Sequence, residues 1–324
     1  MHAWLKLYAA VIVNRLIKMS KIKHWLLLSR IPFLSVTILP YILGALLARY
    51  LSAKFDLVIF ILGLAGAVLI QLATHYNGEV YDIKEDRLSI TLEKNFFSGG
   101  SQVLVENIIA PRKVKVLIAG VLALALMIGL VLQFYFNTGG WTLLLGISGV
   151  GCGFFYSKPP LRWVSRGVGE IFIAYAFGWL AVSAGFYLQF SHFNILATLV
   201  SLPIACSVVN IILINEYPDY PADVATGKLN LLVRVGKVKG AIVYTLLFAC
   251  SVVTFFIALG NGFAIMSGIF YFPVFILGMV LSAQMLLGEY QDRQKLERMC
   301  GLTILVNLGT SLSCILGLLI KKSC

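Results

Sequence analysis

Asn215-Glu216-Tyr217-Pro218-Asp219-Tyr220-Pro221-Ala222-Asp223 closes one long apolar run, and Asn77-Gly78-Glu79-Val80-Tyr81-Asp82-Ile83-Lys84-Glu85-Asp86 closes another. Each segment holds two aspartates four positions apart, the spacing that stacks side chains on one face of a helix. Carboxylates beside a bilayer are costly unless they hold something positive. The pattern predicts hydrophobic helices whose ends converge on a shared polar chamber.

Outward from these segments the chain is mostly apolar. It has 324 residues, 60% hydrophobic and only 12% charged, with a mean hydropathy of +0.91. Soluble domains average about 25% charged residues, so the composition predicts an all-α polytopic membrane protein. Apolar runs of the length needed to cross a bilayer fall near 31–51, 57–77, 114–135, 140–156, 168–188, 194–215, 240–259, 263–286 and 302–320. That makes nine transmembrane helices. Residues 31–324 form one domain with a central cavity open to the cytoplasmic side, and residues 1–30 form an amphipathic interfacial segment. The first 30 residues lack the compact apolar core and cleavage site of a signal peptide.

The net charge of +12 does not indicate nucleic acid, because the basic residues sit in short loops between apolar runs. Nine spans place 22 of the 26 Lys and Arg around the loops of one side, which the positive-inside rule makes cytoplasmic. Of the 14 acidic residues only Asp56 falls on the other side. Acidic residues barely influence topology, so their segregation supports a polar chamber at the cytoplasmic face. The six cysteines lack metal-ligand spacing and read as small packing residues.

Asp82, Asp86, Asp219 and Asp223 are hard oxygen ligands, and hard divalent ions are commonly shared between carboxylates and phosphate oxygens. The combination suits Mg²⁺ and a diphosphate-bearing lipid. The repeat of the motif after four intervening spans suggests a loose internal duplication. Lys84, Arg87 and Lys94 follow the first motif, and Ser98-Gly99-Gly100-Ser101 offers backbone donors to phosphate or a plain turn. Tyr156-Ser157-Lys158-Pro159-Pro160-Leu161-Arg162 brings two cations that serve either phosphate or topology. Gly167-Val168-Gly169-Glu170 follows, and Lys228 and Arg234 lie beyond the second motif. His75, about two turns before the first pair, reads as interfacial. An ion-coupled transporter is the rival reading, disfavoured because the aspartates cluster at one side instead of near the midplane.

These residues resemble the UbiA family of intramembrane prenyltransferases, and the likeness covers almost the whole chain. It begins at Ser29-Arg30-Ile31-Pro32-Phe33 and includes Gly227-Lys228 and Val233-Arg234-Val235-Gly236. Ser98–Ser101, the Pro159-Pro160-Leu161 turn and Gly167–Glu170 look most like the menaquinone branch, the 1,4-dihydroxy-2-naphthoate prenyltransferases. The resemblance implies transfer of a polyprenyl chain from its diphosphate to an aromatic acceptor. It implies Mg²⁺ held by Asp82, Asp86, Asp219 and Asp223, with Tyr156 beside the reacting group. Arg30, Asn77, Glu79, Lys84, Lys94, Lys158, Arg162, Asn215 and Lys228 are the expected substrate-binding residues. An acceptor from another branch (4-hydroxybenzoate, a tetrapyrrole or a lipid) stays open, as do chain length and oligomeric state. The chain departs from the family where an asparagine is usual four residues before the first aspartate. Gly78 stands there, with Asn77 one position early and Glu79 next, so Glu79 is expected to replace the usual acid and Asn77 to reach in through a bulge.

Overall fold

The computed structural model describes residues 20–89, 92, 95, 97 and 99–320, and every regular element among them is helical. A short α1 (Lys21–Ser29) turns at Arg30 into α2 (Ser35–Ser52). Helix α3 (Leu57–Tyr81) opens on Asp56, whose side chain accepts from the Val58 and Ile59 amides. A one-residue step at Asp82 leads into α4 (Ile83–Ser89). Then come α5 (Pro111–Tyr135), α6 (Trp141–Ser157) and α7 (Gly169–Phe190). Helix α8 (Ile195–Thr226) is the longest, followed by the short α9 (Leu231–Val235), α10 (Lys237–Gly260), α11 (Ser267–Leu286) and α12 (Arg293–Leu319).

Among the described residues, eight helical segments are long and apolar enough to cross a membrane, α1 and α2 being counted as the single stretch Lys21–Ser52. The run expected at 140–156 forms α6, a shorter apolar helix of 17 residues. At a rise of 1.5 Å per residue it spans about 26 Å. Of the expected interfacial segment, residues 1–19 lie outside the described residues, while Leu28 of α1 packs with Ala73 and Tyr76 of α3.

Lipid tails are as apolar as leucine, so helices associate in a bilayer through close backbone approach and interhelical hydrogen bonds. Both devices are present. Gly44 of α2 meets the Val182 backbone of α7, and Gly185 meets the Tyr41 backbone, so a Cβ at either position would collide with main chain. Tyr244 of α10 bonds Thr303 of α12 at 2.8 Å, and Asn307 of α12 donates to Ser207 of α8 at 2.8 Å. Outward-facing positions carry large apolar side chains such as Leu246, Phe256 and Phe272, as a lipid-facing surface requires. Helices α3 and α8 both end at the same extremity of the bundle, called here the motif end.

Candidate active site

The two aspartate segments reach the motif end by different local routes. Asp82 caps α3, and its amide still bonds the Gly78 carbonyl at 2.9 Å. The Asp86 amide then bonds the Asp82 carbonyl at 2.9 Å, so the first pair straddles a step between two helices. The second pair lies inside α8 despite Pro218 and Pro221. Pro218 lacks the N–H that would satisfy the Ile214 carbonyl, and the Cys300 thiol approaches that oxygen at 3.8 Å. Gly227, with φ of 73°, ends α8 in the left-handed turn that favours glycine and folds Lys228 back onto Asp223.

Three of the four aspartates are gripped by protein donors. Asp82 accepts from Ser157 Oγ at 2.9 Å and from Arg162 Nη2 at 3.3 Å. The same Arg162 nitrogen reaches Glu85 at 2.6 Å. Asp219 accepts from Ser89 Oγ at 2.8 Å and from the Gly99 amide at 3.2 Å. Asp223 pairs with Lys228 Nζ at 3.4 Å and accepts from Asn230 Nδ2 at 2.8 Å. Asp86 lies against Gly100, where a Cβ would overlap its carboxylate. The first motif therefore meets the second across the 99–102 loop.

The electrostatics match this crowding. Burial, followed by the like charges of Glu79, Asp82 and Asp219, pushes the Asp86 carboxyl well above the usual carboxylate range. Burial works against the Lys228 ammonium, yet Asp223, Asp82 and Asp219 outweigh it and hold its pKa above that of an ordinary lysine. The chamber carries surplus negative charge that further cations would relieve.

Some expected residues do other work. Asn77 does not turn to the aspartates through a bulge, because α3 runs unbroken through it. Its side chain is 1% exposed and donates to the Phe154 carbonyl of α6 at 2.8 Å. Glu79 accepts from Ser101 Oγ at 2.6 Å and from the Ser101 amide, and so ties down the 99–102 loop. Arg30 stacks over Phe33 at 5.2 Å, and Lys158 over Phe154 at 4.0 Å. Lys84 is exposed, and Asn215 keeps a buried Oδ1 without a hydrogen-bond partner. Lys94 and Ser98 lie outside the described residues.

The structure adds residues that spacing did not select. Ser89, Ser157, Glu85 and Asn230 hold the aspartates or Arg162. Glu170 and Glu216, both buried, accept the first amides of α9, Leu231 at 3.0 Å and Leu232 at 3.3 Å. Anionic side chains suit the positive start of a helix, and here they fix the segment carrying Lys228 and Asn230. Glu170 stands in a quoted motif, but its target is 61 positions away and no local pattern encodes it.

Beside the carboxylates an apolar cavity opens, enclosing with its mouth about 1000 Å³. Tyr156, Thr74 and Gln71 line it near the motif end, and Tyr156 adjoins Ser157, the donor to Asp82. The other walls are mostly apolar side chains and glycines of α2, α3, α5, α6 and α7.

Whether these residues fit a divalent ion follows from their chemistry. Among the described residues no three His, Cys, Asp or Glu side chains form a ready-made metal cage. Mg²⁺ does not require one, since it usually takes one or two carboxylates together with phosphate oxygens and waters. The donors are hard oxygens, including Asp86, whose ionisation burial and the neighbouring carboxylates oppose and a cation would favour, and an unpartnered Asn215 Oδ1. They fit Mg²⁺ bound jointly with a phosphate ligand.

Comparison with known proteins agrees. Residues 37–307 match the UbiA prenyltransferase family, and the chain belongs to that family and is a prenyltransferase. It is similar to the 1,4-dihydroxy-2-naphthoate octaprenyltransferase of Bacillus subtilis (strain 168), 29% identical over 72% of this chain and 71% of the relative. It is also similar to the 2-carboxy-1,4-naphthoquinone phytyltransferase of Synechocystis sp., 26% identical over 88% and 89% of the two chains. A solved UbiA homolog from Archaeoglobus fulgidus bound to GPP and Mg²⁺ superposes with a TM-score of 0.59 at 18% identity, covering 90% of this chain and 99% of that one. Family membership sets aside the transporter reading.

Proposed function

We propose that this protein transfers a polyprenyl group from its diphosphate to 1,4-dihydroxy-2-naphthoate, in a chamber facing the cytoplasm. The observation that carries this reading is the meeting of two aspartate motifs at the mouth of an apolar cavity. Two of the relatives are named for a carboxylated naphthalene ring, which supports a bicyclic acceptor. Eight long spans and the shorter α6 make nine crossings among the described residues. The basic loops support a cytoplasmic position for the motif end.

Asp82, Asp86, Asp219 and Asp223 would hold Mg²⁺, as expected from the sequence. When bound, the metal neutralises diphosphate oxygens and eases departure of the leaving group. Arg162 and Lys228, already drawn in by carboxylates, supply further positive charge to the diphosphate. The isoprenoid tail lies in the cavity, where burial contributes about 0.8 kcal/mol per CH₂. The allylic C–O bond breaks and its electron pair leaves with the diphosphate. Tyr156 faces the resulting cation, and cation–π contact contributes up to about 2 kcal/mol in a desolvated site. The carboxylated ring carbon of the acceptor then bonds to the allylic carbon. Its bond to the carboxylate breaks, carbon dioxide departs, and the electron pair returns to the ring. Enclosure by the bundle keeps water from capturing the cation.

The test is purified full-length protein with Mg²⁺ and prenyl diphosphates, offered dihydroxynaphthoate, 4-hydroxybenzoate, a tetrapyrrole and a glycerol-lipid acceptor. Mass spectrometry should find a prenylated, decarboxylated naphthalene product. Product formed only from another acceptor overturns the assignment.

A further inference from the structure

One guanidinium nitrogen serves two acids at the motif end. Arg162 Nη2 lies 2.6 Å from Glu85 Oε1 and 3.3 Å from Asp82 Oδ1. The three side chains come from separate elements. Asp82 caps α3, Glu85 lies in α4, and Arg162 sits on the loop between α6 and α7. That loop is held on both sides of Arg162, whose amide donates to the Lys158 carbonyl at 3.0 Å and whose carbonyl accepts from the Ser165 amide at 2.9 Å. The guanidinium is thus delivered from a fixed base.

The two acids are unequal partners. The Glu85 side chain is 5% exposed, its Oε2 has no hydrogen-bond partner, and among the described residues Arg162 is the one cation paired with it. Stripping a buried carboxylate of its partner is strongly unfavourable, so Glu85 keeps Arg162. The Asp82 side chain is 17% exposed, makes the longer contact, and still has Ser157 Oγ at 2.9 Å if the arginine leaves. When a second cation arrives, Asp82 is therefore the acid that yields.

We infer that Glu85 is a positioning residue that stores the Arg162 charge beside Asp82 and so frees Asp82 for a metal ion. This rests on the reading of Asp82 as a Mg²⁺ ligand. Without Glu85, Asp82 is the one acid left in contact with the guanidinium among the described residues, and the arginine then stands where the metal must bind. With Glu85 in place, the remaining N–H donors of Arg162 stay beside the chamber for phosphate oxygens, which guanidinium suits.

The experiment is a double-mutant cycle on full-length protein in nanodiscs: wild type, Glu85→Gln, Arg162→Ala and the two combined. Mg²⁺ alone is titrated, and apparent affinity is read from the thermal shift relative to each variant's own melting temperature. Groups that tune a metal ligand matter by about 10- to 100-fold, so Glu85→Gln should weaken Mg²⁺ binding about tenfold or more. Adding Arg162→Ala should recover most of that loss, whereas the same change in the wild-type background should alter affinity by only about twofold. An equal effect of Arg162→Ala in both backgrounds overturns the storage role, because the two side chains then act as independent charges. Wild-type affinity in Glu85→Gln overturns it as well. Should that variant not fold, Glu85→Asp keeps the charge but draws it back by one methylene. It should show a smaller loss of the same sign, and no loss overturns the inference. Glu289→Gln removes the exposed partner of Lys295 and should leave Mg²⁺ affinity unchanged; a loss there as large as in Glu85→Gln overturns the specific role of Glu85. Wild type stabilised neither by Mg²⁺ alone nor by Mg²⁺ with pyrophosphate brings down the metal reading of Asp82 itself.

Discussion

Ser89 Oγ donates to Asp219 Oδ1 at 2.8 Å across 130 positions of sequence. The bond joins α4, which carries Asp86 of the first motif, to α8, which contains the second. Groups that orient a metal-binding carboxylate typically matter by 10- to 100-fold. Ser89→Ala should therefore raise the Mg²⁺ concentration needed for half-maximal transfer by about tenfold. A titration of activity against Mg²⁺ measures this. A lower melting temperature with an unchanged Mg²⁺ requirement would make the bond merely structural.

Gly100 has a φ of 59°, and Asp86 occupies the space a Cβ would need. Left-handed backbone costs a residue with a side chain about 1–2 kcal/mol, and here the carboxylate must also move. A displacement of about 1 Å in a catalytic group can lower the rate on the order of a hundredfold, so Gly100→Ala should reduce kcat on that scale. Gly262, with φ of 91° and nothing within 4 Å of a Cβ, is the control. Gly262→Ala should destabilise the fold yet leave kcat near wild type.

Asp86 titrates above the usual carboxylate range because it is buried among Glu79, Asp82 and Asp219. An acid whose folded pKa is raised stabilises the empty protein while protonated, and the contribution disappears as pH rises through the raised value. Melting of the empty protein should thus fall with pH above the ordinary value near 4, and Asp86→Asn should flatten that decline. Catalysis runs the other way, since metal needs the ionised form, so transfer should rise with pH over the same range. A wild-type melting curve as flat as that of the variant contradicts the assignment.

Because no described trio of ligands is preassembled, Mg²⁺ and diphosphate should bind together more tightly than separately. Calorimetry with Mg²⁺ alone, pyrophosphate alone and both should show weak heats for each and a saturating isotherm for the pair. Tight binding of Mg²⁺ alone would mean that the chamber rearranges into a full cage before the diphosphate arrives.

Much of this architecture was legible in the sequence, and what escaped has one physical cause. Apolar runs and basic loops are local, so the helices and their ends could be read directly. The repeated aspartate pairs, Tyr156, Arg162 and Lys228 announced themselves by type and position. The partners of those groups did not. Ser157 reaches back 75 positions to Asp82, and Ser101 reaches back 22 to Glu79. Such pairings depend on how helices pack, which no local spacing encodes. Asn77 misled for the same reason: one residue of register turns a helical side chain by about 100°, here toward Phe154 of α6. Glu79 was chosen as an acid for ligands, whereas it restrains the loop over Asp86.

The central claim is that both aspartate motifs act on one diphosphate. Its most direct measurement is Mg²⁺-dependent prenyl transfer by Asp82→Asn and by Asp219→Asn, each in membranes containing wild-type levels of protein. Loss of a preorganised electrostatic group typically costs about 10²- to 10³-fold, and each variant should fall at least that far while remaining folded. Full activity in either one contradicts the account.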